Sequence, residues 1–83
     1  MFNIKLADAL INVNLTDMGF VLMQDESKDP RGNYYVIESN YFCLLIDAWF
    51  EVQLCRRSPD TDPIKLLIND KADLQSVIDW MKD

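Results

Sequence analysis

The spacing of apolar residues changes twice along this chain, and that change restricts the fold more than any other feature. Between Phe20 and Ile68 the apolar residues fall in strand-sized runs separated by turn signals. Before and after that stretch they recur every three to four residues. A period near two belongs to a pleated strand and a period near 3.6 to a helix, so the chain reads as helix, sheet, helix.

The first segment reads as a helix over residues 3 to 18. Ile4, Ala7, Ile11, Leu15 and Met18 form one stripe, with Leu6, Leu10 and Val13 widening it and Lys5, Asp8, Asn12 and Thr16 opposite. Asn3 is placed as its N-cap and Gly19 as its C′ residue. Asn12-Val13-Asn14 is its weak point, because these residues have poor helix propensity.

Strands are then expected over Phe20–Gln24, Tyr34–Glu38, Tyr41–Ile46, Trp49–Arg57 and Ile64–Ile68. The polar stretch from Asp25 to Asn33, with Pro30 and Gly32, is a loop, Ser39-Asn40 a turn, and Ser58 to Pro63 a second loop. Tyr41–Ile46 is apolar on both faces and belongs in the middle of the sheet. Asp47-Ala48 is read as a two-residue hairpin turn, the alternative being a bulge in one long strand. A two-residue turn sets Cys43 opposite Val52 and Cys55 opposite Asn40, too far apart for a disulfide.

Asn69 or Asp70 caps the last helix, whose buried stripe is Leu74, Val77, Ile78 and Met81. The expected fold is a single α+β domain over residues 1–83: an N-terminal helix, a four- to five-stranded antiparallel meander-like sheet and a C-terminal helix, in two layers with both helices on one sheet face. Leu45, Val52, Leu54, Leu66, Ile11 and Leu74 are its expected core.

Composition narrows the chemistry. The chain has 83 residues, two cysteines and no histidine. Without histidine the usual general base, the Ser-His and Cys-His pairs and the commonest metal ligand are missing. Two cysteines cannot build a structural zinc site within one chain, and Gly19 and Gly32 are too far apart to cradle a phosphate. Asp60-Thr61-Asp62 begins like a calcium loop, but Pro63, Ile64, Lys65 and Leu66 follow where oxygen ligands and a glycine belong. No catalytic residue, cofactor or metal is therefore expected, and the chain reads as non-enzymatic. No apolar run is long enough to span a membrane and no signal peptide is recognisable, so a cytoplasmic location is the default expectation.

Fourteen acidic residues against eight basic ones give a formal charge of −6. Such a surface repels phosphate backbones and anionic lipid and attracts basic protein surfaces, and it also serves solubility. The helix–strands–helix order is shared with double-stranded RNA-binding domains. Those need a basic helix end, however, where this chain carries Asp70, Asp73, Asp79 and Asp83.

The expected partner is thus a protein with a basic surface, with no direct nucleic-acid or membrane binding. The expected contact residues are Asp25, Glu26 and Asp29 on the first loop, Asp60 and Asp62 on the second, and Asp73, Asp79, Trp80 and Asp83 on the final helix. Trp80 lies roughly 110° from the buried stripe at about 100° per residue, which suits either a contact anchor or a ring covering the sheet edge. A nucleic-acid-mimicking inhibitor, of the kind phages direct against host defence complexes, fits this profile of size and charge. The alternative is a homodimeric structural or adaptor module. It would pair through a strand edge or a sheet face made aromatic by Tyr34, Tyr35, Tyr41, Phe42, Trp49 and Phe50, all on expected strands.

Overall fold

The computed structural model describes residues 2–24, 33–58 and 61–82. Helix α1 (Ile4–Ala9) is followed by a 3₁₀ helix (Leu15–Met18). Strands β1 (Val21–Met23), β2 (Tyr34–Glu38), β3 (Phe42–Ile46), β4 (Val52–Arg56) and β5 (Ile64–Leu66) come next, and helix α2 (Lys71–Lys82) closes the order. The five strands form one antiparallel sheet in sequence order, with β3 in the middle.

Strand alternation assigns the two sheet faces. Ile37, Leu44, Ile46 and Val52 are buried in one cluster with Leu6, Leu10 and Leu15 from the N-terminal segment, Phe20, Ile68, and Leu74, Ile78 and Met81 from α2. Both helical ends therefore cover the same face. Leu45, at the next position along β3, falls on the opposite face and is only half-buried. Of the expected core, Val52 and Leu74 are buried and Leu54 and Leu66 half-buried, whereas Ile11 is 77% exposed.

Ile11 is exposed because the expected helix over residues 3 to 18 does not run through. Asn3 caps α1, its side chain accepting from the Leu6 amide at 3.3 Å. Asn14 instead accepts from the Thr16 amide and hydroxyl at 3.1 and 2.6 Å, starting a separate 3₁₀ turn. A side chain that satisfies nearby amides competes with the helix ladder. Leu6 and Leu10 consequently replace Ile4 and Ile11 as the inward positions, both of the latter being exposed. Gly19 ends the 3₁₀ helix at φ +104°, a region glycine enters without a Cβ penalty.

The β3–β4 connection also differs from expectation. It is a hairpin, but not a two-residue one. The Asp47 amide donates to the Glu51 carbonyl (3.1 Å) and the Phe50 amide to the Asp47 carbonyl (3.0 Å), so Ala48, Trp49 and Phe50 form a three-residue loop. Asp47 Oδ1 accepts from the Trp49 and Glu51 amides, each at 2.9 Å, and Phe50 takes φ +57°. A turn followed by a left-handed residue is the usual three-residue hairpin. Here the left-handed position holds phenylalanine, whose ring meets Phe2 edge-on at 5.9 Å. Tyr41, Trp49 and Phe50 therefore sit in hairpin loops rather than on strands. The register also moves: Cys43 faces Cys55, not Val52.

Candidate functional site

Helix α2 is set by its ends. Asp70 Oδ1 accepts from the Asp73 amide at 2.8 Å, so Asp70 rather than Asn69 caps the helix. Asp73 in the first turn and Lys82 in the last both complement the helix dipole. With Leu74, Ile78 and Met81 turned into the core, a rotation of about 100° per residue places Asp79, Ala72, Ser76, Trp80 and Asp73 in sequence around the outer arc. No basic residue falls within that arc. Gln75 Nε2 donates to Asp79 Oδ1 at 3.0 Å along one flank.

Trp80 is 57% exposed and inclines over Phe42 of β3, with ring centroids 4.9 Å apart and planes at 43°. Of the two roles expected of this side chain, covering the sheet is the one seen, on the central strand rather than at the sheet edge, and the rest of the indole is exposed. An aromatic fixed in this way loses little rotamer freedom on forming a further contact.

The structure thus brings Asp73, Asp79 and Trp80 to one helix face. Asp62 is exposed but lies on the β4–β5 connection, away from α2 in the chain. Asp25, Glu26, Asp29, Asp60 and Asp83, together with Pro30 and Gly32 of the first loop, lie outside the described residues.

Sequence reasoning did not anticipate two further features. A groove of about 440 Å³ runs beside β5, between Phe2, Ile4 and Lys5 on one side and Lys65 and Leu67 on the other. Lys65 Nζ stands 3.9 Å from Glu51 Oε2, and both residues line it. A second recess, of about 390 Å³, holds Tyr41, Phe42, Arg56 and Arg57 at the end of the sheet. Arg57 is anchored there by donating from Nη1 to the Ser39 carbonyl at 3.2 Å. Both features depend on where loops fold back, and no periodicity encodes that.

Among the described residues no polar or charged side chain is buried, and no group of three histidine, cysteine, aspartate or glutamate side chains could hold a metal ion. No helix among them is long and apolar enough to cross a membrane. Comparison with protein-family models, with curated proteins and with solved structures finds no match to this chain.

Proposed function

We propose that this chain is a non-enzymatic protein-binding domain that presents the outer arc of α2 to a basic surface on a partner protein. The observation that carries this reading is the half-exposed Trp80, held on Phe42 within an arc that contains Asp73 and Asp79 and no base. Tryptophan is enriched among binding hot spots, and the formal charge of −6 adds long-range attraction to a basic surface. The finer form of the proposal is that the partner surface is a nucleic-acid groove, which the acids occupy by charge mimicry.

The partner is identified by affinity capture and mass spectrometry, then titrated in pure form at two salt concentrations. Wild-type affinity should fall steeply with salt. The pair Asp73→Asn and Asp79→Asn should weaken binding and flatten that dependence, and Trp80→Ala should speed dissociation. Duplex DNA should displace the chain if the groove reading holds. Wild-type binding indifferent to salt, or a double variant that binds as tightly, rejects the proposal.

A homodimer is favoured by a different observation, the exposed sheet edges. All of β1 is exposed, as is Ile64 on β5, and Leu67 just beyond it is 87% exposed. Unpaired strand edges with apolar side chains are sites of strand addition. Sedimentation of the protein alone distinguishes this reading, which predicts salt-insensitive self-association.

A further inference from the structure

Cys43 on β3 and Cys55 on β4 are direct cross-strand partners on the sheet face opposite the helices. Hydrogen bonds on either side fix the kind of pair. The Asp47 amide bonds the Glu51 carbonyl and the Arg57 amide bonds the Tyr41 carbonyl. In an antiparallel ladder such pairs recur every second residue, so Cys43 and Cys55 occupy a hydrogen-bonded pair with Cα atoms about 5.5 Å apart. That lies inside the range of about 4.4–6.8 Å found across disulfides. Opposed Cβ atoms in a ladder stand about 4.5–5.5 Å apart, against about 3.5–4.5 Å in a disulfide. The bridge can close, but only by drawing the strands together, which makes it easy to reduce. Both thiols are free and half-buried, and neither serves the core or the face of α2.

We propose that Cys43 and Cys55 form a reversible redox site that exchanges with small-molecule disulfides to give an intrachain bridge across the centre of the sheet. Burial, and next to it the Glu38 carboxylate across from Cys43, push the Cys43 thiol up from its ordinary value, which lowers its thiolate fraction. One of the two cysteine thiolates attacks the disulfide RS–SR, forms a mixed disulfide with SR and releases RS⁻. The thiolate of the other cysteine then attacks the protein sulfur of that mixed disulfide and expels the second RS⁻. Two protein thiols are oxidised by two electrons and RS–SR is reduced to two thiols, each RS⁻ taking up, through solvent, one of the two protons that the protein thiols lose.

The test equilibrates folded full-length protein with graded mixtures of reduced and oxidised glutathione, followed by acid quench and intact-mass measurement. The expected product is a monomer two hydrogens lighter, without a glutathione adduct, that dithiothreitol restores. Because the fold holds the two thiols together, the ratio of bridged to reduced chain at a given buffer should exceed that of urea-unfolded chain by at least about tenfold. Cys43→Ser and Cys55→Ser should each stop at a single adduct. The proposal is overturned if folded wild-type protein keeps both thiols throughout, accumulates adducts or linked dimers, or bridges no more readily than the unfolded chain.

Discussion

The two helical ends of the chain carry the same apolar spacing and fold differently. In α2 the pattern runs unbroken through twelve residues, with Asp70 as cap and with Asp73 and Lys82 matched to the dipole. In the N-terminal segment a six-residue helix stops at Ala9, and the chain restarts as a 3₁₀ turn at Leu15. The difference lies in the polar residues between the apolar ones. Asn14 satisfies the Thr16 amide and hydroxyl itself, and Gly19 takes a left-handed conformation. Nothing inside α2 offers the backbone an equivalent alternative: Ser76 bonds back to the Ala72 carbonyl at 3.0 Å within the helix. Apolar spacing says which side chains share a face only while the ladder continues, and side-chain competitors decide where it ends.

The comparison is broken or sharpened first in the core. Leu6 of α1 and Leu74 of α2 are both fully buried. Each replacement by alanine should cost about 2–5 kcal/mol, a large part of the roughly 5–15 kcal/mol that holds a domain together. Urea unfolding measures both. If Leu6→Ala costs little while Leu74→Ala is severe, the short helix is an appendage rather than part of the core.

A smaller effect is expected at Gly19. A Cβ there would approach Ile37 Cδ1 to 3.1 Å, and φ +104° is strained for any L side chain. Gly19→Ala should destabilise by roughly 1–3 kcal/mol by the same measurement. A neutral result would mean that the 3₁₀ helix ends in another geometry.

Much of the sheet was legible from sequence. Tyr34–Glu38 is a strand over that full range, and β3 is central, because an apolar run on both faces suits only an inner position. The cap Asn3 was legible, and the cap of α2 was narrowed to Asn69 or Asp70, because capping is local chemistry. The β3–β4 register was not. It turned on whether Asp47 occupied a two-residue turn or used its carboxylate to hold the Trp49 and Glu51 amides, and on Phe50 entering a conformation that sequence assigns to glycine or asparagine. That local difference changed every cross-strand partner and brought the cysteines together. On α2 the outward positions of Asp73, Asp79 and Trp80 followed from helical spacing alone. Helical spacing also placed the Trp80 ring where it could cover the sheet, but its partner Phe42 is far away in the chain and had no sequence signal.

The smallest expected effect is also the sharpest test of the contrast between the two ends. Ile11 belongs to the apolar stripe of a continuous helix over residues 3 to 18, and in that geometry it would be a core side chain. The structure places it after α1 has ended, 77% exposed, with Leu10 beside it taking the buried position. A continuous helix predicts a loss of about 2–5 kcal/mol for Ile11→Ala, the cost of emptying a core position. The observed break predicts a change within about 0.5 kcal/mol, as for surface sites without special contacts. Leu10→Ala, measured alongside, should instead show the core cost. If the two variants exchange places, with Ile11→Ala severe and Leu10→Ala mild, the helix runs on through Asn12 and Asn14, and the side-chain competition that separates the N-terminal segment from α2 does not operate.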